Sequence, residues 1–321
     1  MYQRMLVLLD GSELAEVVFT YAKELAGRLD LDVILLHVYS PALREFVPMH
    51  QAYIKGAAKT VRRQAQEVQK GLGIEPAGKP IKVRGELAMG YPADEILRYA
   101  DENAVDLILM ASHGRSGIKR WVMGSVADKV LRASKVPVWL VRAGIPDQVP
   151  YDQWPTKTII VPLDGSESDE SVLPHVEVLA KQRGTEPLDV ALLRVCDMPV
   201  TPSYYSPELS GVPLNWGEYM EQEMARSKQV AKEYLAEVAK RLKDIGISVQ
   251  SEVLVGKAAD EIVNYANKNP FNIIAMTTHG RSGLRRLVYG SITESVLLGV
   301  SSPMLLVRPG KPDSKVNDKE E

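Results

Sequence analysis

The chain is written twice. Asp10-Gly11-Ser12-Glu13 follows an apolar run at residues 5–9, and Asp164-Gly165-Ser166-Glu167 follows another at 159–163. Met110 to Leu131 aligns without gaps to Met276 to Leu297, with twelve of the 22 positions identical. Between these anchors, Ala93-Asp94-Glu95-Ile96 matches Ala259-Asp260-Glu261-Ile262. The offset of 154 to 166 residues is the size of a whole domain and far too long for a solenoid unit, so the pattern is a tandem duplication. A total of 321 residues agrees with two domains of ordinary size.

Each copy carries the same coarse order. Apolar runs at 5–9, 31–38, 106–111 and 138–141 alternate with helical patterns at 13–28, 53–71, 93–103 and 126–133, and a weaker strand is expected at 80–86. In the second copy the runs fall at 158–163, 188–195, 272–277 and 304–307, the helices at 169–182, 215–244, 258–267 and 292–298, and the weaker strand at 248–254. Continuous apolar runs of four to eight residues between helices predict an α/β fold, its parallel sheets covered by helices on both faces. We read residues 1–146 and 155–310 as the two domains, 147–154 as a linker and 311–321 as a disordered tail. The stretches 41–50 and 199–216, with several prolines and aromatics, are expected to be surface loops and candidate lids.

Composition narrows the function. The formal charge is 39 − 41 = −2, which argues against a surface built throughout for nucleic acid or anionic lipid. The single cysteine, Cys196, allows no intrachain disulfide and no zinc site of several thiolates. It reads as a small buried hydrophobe rather than a redox centre. No apolar run approaches the ~20 residues that span a bilayer, and the first residues lack the pattern of a signal peptide. A cytoplasmic protein is expected.

The residues that carry chemistry lie straight after the fourth strand. The first copy reads Ala111-Ser112-His113-Gly114-Arg115-Ser116-Gly117, with Gly124-Ser125 ten residues after Gly114. The second reads Thr277-Thr278-His279-Gly280-Arg281-Ser282-Gly283, with Gly290-Ser291 ten after Gly280. Glycine lets backbone approach a ligand and lets amides turn inward as an anion nest. A helix then opens at Ser125 or Ser291, and its free amides and partial positive charge suit phosphate. Arg115, Lys119 and Arg120, matched by Arg281, Arg285 and Arg286, add positive charge. A second reading stands beside this one. Ser125 to Asp128 and Ser291 to Glu294 both fit a capping box, so the serines could simply cap helices.

Asp10 and Asp164 close the first strands, and the glycine loops close the fourth. Ligands of open parallel sheets sit beyond the carboxyl ends of the strands, at the topological switch point. If strands one and four adjoin there, both features face one crevice. The acid would hold a ribose hydroxyl or a metal ion; alternatively it caps the helix after Gly11 or Gly165. His113 and His279 either touch phosphate or orient the loop through a hydrogen bond to backbone. His37, His50 and His175 have no histidine at the matching place in the other copy and receive no role.

The loop pattern resembles the nucleotide-binding branch of the universal stress protein family. That signature is a glycine, two residues, a glycine, nine residues, then glycine and serine or threonine. Gly114 through Gly124-Ser125 and Gly280 through Gly290-Ser291 match its last three elements, whereas Ala111 and Thr277 replace its first glycine. The resemblance covers nearly the whole chain. It implies, in each half, an open five-stranded parallel sheet of order 3-2-1-4-5 of the adenine nucleotide alpha hydrolase-like kind. It also implies that two such units pair through their fifth strands, here within one molecule, leaving outer surfaces on which two chains could form a homodimer. The implied cofactor is ATP, with or without magnesium. The implied ATP contacts are Asp10, Val38, Met110, Gly114, Arg115, Gly124, Ser125 and Val126, and Asp164, Val195, Met276, Gly280, Arg281, Gly290, Ser291 and Ile292. The expected role is a nucleotide-dependent sensor or regulator in stress response. The alternatives are a nucleotide-free interaction protein and a slow ATPase.

Overall fold

The computed structural model describes residues 2–74, 80–113, 123–145, 149–183, 188–198, 216–278 and 290–309. The first half runs β1 (Arg4–Leu9), α1 (Glu13–Glu16), α2 (Phe19–Leu29), β2 (Asp32–Tyr39), α3 (Val47–Gly71), β3 (Val83–Met89), α4 (Pro92–Glu102), β4 (Leu107–Ala111), α5 (Ser125–Ala133) and β5 (Val138–Val141). The second half repeats it as β6 (Thr158–Pro162), α6 (Glu167–Glu170), α7 (Leu173–Ala180), β7 (Asp189–Cys196), α8 (Trp216–Asp244), β8 (Val249–Val255), α9 (Ala258–Lys268), β9 (Asn272–Thr277), α10 (Ser291–Gly299) and β10 (Met304–Val307).

The ten strands form one sheet in the order β3-β2-β1-β4-β5-β10-β9-β6-β7-β8. Each half therefore has the order 3-2-1-4-5, and every pairing within a half is parallel. The halves meet through their fifth strands, which pair antiparallel with Trp139 opposite Leu305. The strands are buried on both faces. Met5, Val7 and Leu9 face a core under α2 and α3, while Leu6 and Leu8 face a core under α4 and α5. Each core continues into the second half, with Val161 in the first and Ile160 in the second.

Three local expectations change. The helix expected at 13–28 is two helices, α1 and α2, separated at Val17 and Val18. These adjacent β-branched residues disfavour an unbroken helix. In the second copy Pro174 starts α7 afresh, because it has no N–H to continue α6. The stretch 41–50 is not a loop. Pro41–Phe46 form a 3-10 turn capped by Ser40, and α3 starts at Val47 rather than at 53. Pro41 and Pro48 each stand in the first turn of their helix, where a missing N–H costs nothing. Of the other candidate lid, 199–216, only Trp216 is described, as the first residue of α8; 199–215 and 310–321 lie outside the described residues.

The described part of the segment between the halves packs rather than dangles. Tyr151 is 1% exposed and stacks on Tyr21, with ring centroids 4.7 Å apart. Trp139 and Trp154 meet its edges. On the same side, the Tyr2 hydroxyl and His175 Nδ1 are 2.8 Å apart, and the Arg183 N–H donates to the Arg28 carbonyl. His175, which had no role in the sequence, thus joins the halves.

Candidate functional site

The chain turns sharply where β1 ends. Gly11 has φ 82°, a conformation that costs glycine nothing and strains other residues. The turn lets Asp10 Oδ1 accept from the Ser12 N–H at 3.0 Å and from its hydroxyl at 2.6 Å. Ser12 in turn caps α1, accepting from the Ala15 N–H. The second copy has Gly165 at φ 80°, Asp164 accepting from the Ser166 N–H at 2.8 Å, and Ser166 capping α6. The helix caps are therefore the serines. The capping alternative for Asp10 and Asp164 is corrected: they hold the cap rather than act as one.

At the end of β4 the Ser112 N–H donates to the Val141 carbonyl, and the Gly124 N–H donates back to the Ser112 carbonyl at 3.0 Å. This return places the start of α5 against the strand end. A Cβ on Gly124 would lie 3.1 Å from that carbonyl oxygen. Gly124 itself is the N-cap, and Ser125 is the first helical residue. Gly290 and Ser291 hold the same positions, with the Gly290 N–H on the Thr278 carbonyl at 2.9 Å. The capping-box reading of Ser125 and Ser291 is thereby corrected, since neither helix has a side-chain cap bond. The first amides of a helix have no partner within it, and α5 presents them toward the strand ends.

These pieces enclose a crevice of about 350 Å³ at the carboxyl ends of β1, β2 and β4. Seven of the residues singled out in the first copy line it: Asp10, Val38, Met110, His113, Gly124, Ser125 and Val126. Gly114 and Arg115 lie outside the described residues, as do His279, Gly280 and Arg281 in the second copy. The crevice walls also include Ala111, Leu43 of the candidate lid 41–50, and residues that had no role in the sequence: Ala15, His37, Tyr39 and Ser40. His37 could have been found from its place beside Val38. It is buried, its Nδ1 lies 3.0 Å from the Leu9 carbonyl oxygen, and its ring packs 4.6 Å from that of His50. His113 bonds to the Ser112 hydroxyl rather than to backbone, at 3.1 Å. Burial, and then the Arg142 charge, lower its pKa, which favours neutral imidazole.

The second copy is built differently at the same positions. In β7, Val195 precedes the buried Cys196, and Arg194 stands where the first copy has His37. The guanidinium of Arg194 lies over the Tyr234 ring and reaches the Leu163 carbonyl. Met276 is buried in β9, next to the buried Thr277 that ends the strand. Asp169 replaces Ala15, and Thr277 replaces Ala111. Asp169 Oδ2 accepts from the Asp164 N–H at 3.0 Å, and the Thr277 hydroxyl donates to Asp169 Oδ1. Burial, helped by the Asp164 charge, pushes the Asp169 carboxyl up to about 6 against the bonds from Thr277 and Asp164.

Among the described residues, no helix is long and apolar enough to cross a membrane, and no group of three or more His, Cys, Asp or Glu side chains is placed to hold a metal ion.

The chain resembles known proteins over nearly all of its length. The model of the universal stress protein family matches residues 1–142 and again 155–308. Universal stress protein YxiE of Bacillus subtilis is 32% identical over 150 residues, covering 44% of this chain and all of the relative. Universal stress protein Rv2005c of Mycobacterium tuberculosis is 23% identical over 305 residues, covering 93% of this chain and 95% of the relative. The crystal structure of a universal stress protein from Archaeoglobus fulgidus superposes with a TM-score of 0.58 at 21% identity, covering 96% of this chain and 98% of that one. With two matched domains arranged as one ten-stranded sheet, the chain belongs to the universal stress protein family and carries its domain in tandem.

Proposed function

We propose that the first crevice binds an adenine nucleotide, ATP foremost, and that the chain acts as a nucleotide-dependent sensor or regulator in stress response. One observation carries this reading: seven residues drawn from the ends of three strands and the start of one helix line a single crevice. Its volume of about 350 Å³ falls within the range of small-molecule sites. The division of chemistry along it suits a nucleotide. Leu36, Val38, Leu43 and Met110 supply an apolar wall for a flat base. Asp10 supplies an acceptor for ribose hydroxyls. Gly124, Ser125 and Val126 bring amides at a helix start, where phosphate is favoured. ATP would then regulate by preferring one of two conformations.

Calorimetric titration with magnesium and ATP tests the reading. Heat of binding is expected for the full chain. Gly124→Val should remove it, because the side chain enters the space beside the Ser112 carbonyl. Absence of heat and of any thermal shift at millimolar ATP would sink the proposal.

A further inference from the structure

The two halves share a sheet order and a helix start, yet differ in the floor of the crevice. In the first half Ala15 and Ala111 line the open space between α1 and the end of β4. In the second half the aligned positions hold Asp169 and Thr277. Their side chains are hydrogen-bonded to each other across that space, and Asp169 is also tied to the Asp164 backbone. One carboxylate therefore bridges the strand that would present ribose and the strand that would lead to phosphate. The approach of an anion is opposed as well, because Asp164 and Asp169 stand side by side. Arg194 of β7 is turned to the Gly165 turn, where an added Cβ would meet its Nη1 at 2.6 Å, and to the Tyr234 ring. The helix start is meanwhile repeated: Gly290 makes the backbone bonds that Gly124 makes, and Ser291 opens α10 as Ser125 opens α5. Among the described residues the helix start is thus repeated, whereas the floor is changed.

We infer that Asp169 and Thr277 close the second crevice to nucleotide, so that the chain binds one ATP, in its first half. The inference rests on the reading that the first crevice takes adenine nucleotide. It assigns Asp169 and Thr277 as specificity-determining residues that exclude rather than recruit. It also gives the second half a separate task, that of a permanently ligand-free partner for the first.

The stoichiometry of binding to the full chain, by calorimetry with magnesium and ATP, tests it. One nucleotide per chain is expected for the wild type, and none after Gly124→Val. Asp169→Ala with Thr277→Ala, which copies the floor of the first crevice, should raise the count to two. Adding Gly124→Val to that pair should bring it back to one. The reverse exchange, Ala15→Asp with Ala111→Thr, should abolish binding and does not depend on the opened variant folding; circular dichroism checks the fold of each. Two nucleotides on the wild type would overturn the inference while leaving the proposed function standing. A count that stays at one in the opened, folded variant would also overturn it. No binding to the wild type would overturn the proposed function, and the inference with it.

Discussion

Replacing Tyr151 by alanine should cost about 4 kcal/mol of stability, although the residue lies in the stretch between the two halves. The side chain is 1% exposed. A buried aromatic removes roughly 150–250 Å² from water, and at about 25 cal/mol per Å² this is worth about 4–6 kcal/mol. Alanine retains part of that area, but the cavity left among Tyr21, Trp139 and Trp154 adds a further cost. The stack on Tyr21 at 4.7 Å and the Lys157 ammonium 5.0 Å from the ring centroid are lost as well. Tyr151→Phe separates the ring from the hydroxyl, which bonds to the Gln182 side chain; that variant should lose about 1–3 kcal/mol. Urea unfolding followed by circular dichroism measures both. Solvent-exposed linker positions change stability by about 0.5 kcal/mol or less. A loss below about 1 kcal/mol for Tyr151→Ala would refute the claim that this segment is part of the core.

Three further outcomes follow from the geometry. The Asp169 carboxyl is raised from its ordinary 3.8 to about 6, so its contribution to stability is full below pH 3.8 and is lost as the pH rises through 6. Asp169→Asn should gain on the wild type as the pH rises from 4 to 7, read from urea midpoints across that range. His175 behaves oppositely: burial lowers its pKa, so its contribution is full above pH 6.5 and is lost as the pH falls below that value. Thermal unfolding of His175→Gln should show a shallower decline than the wild type between pH 7 and pH 5. Gly85→Ala should destabilise by about 1–3 kcal/mol in denaturant titration, because its Cβ would lie 2.6 Å from the Ile54 carbonyl oxygen, where α3 crosses β3.

Most of the architecture was legible in the sequence because buried parallel strands leave continuous apolar runs, and β1, β4, β6 and β9 fall within a residue or two of theirs. The pairing through β5 and β10 came from the family resemblance, since nothing local in Val138–Val141 or Met304–Val307 specifies a partner. Prolines misled at 41–50, where a first-turn position of a helix looks like a loop when read residue by residue. The crevice residues were found where glycine and a strand end coincide in the chain. Ala15 and His37 were not, because an alanine on a short helix and a histidine inside an apolar strand acquire a role only once β1, β2 and β4 are side by side. The same holds for Asp169, which reads as one of several acids in the first turn of a helix until Thr277 is brought against it.

The antiparallel seam between β5 and β10 has a consequence for how such a sheet persists and changes. Two separate domains joined by this seam would part on dilution, whereas a covalent connection holds each domain at millimolar effective concentration of the other. Association thereby ceases to depend on how much protein is present. In a pair of identical chains, every substitution is also imposed on both sides of the symmetry axis at once. Here it falls on one side only, and the two halves are free to age into different organs of one body.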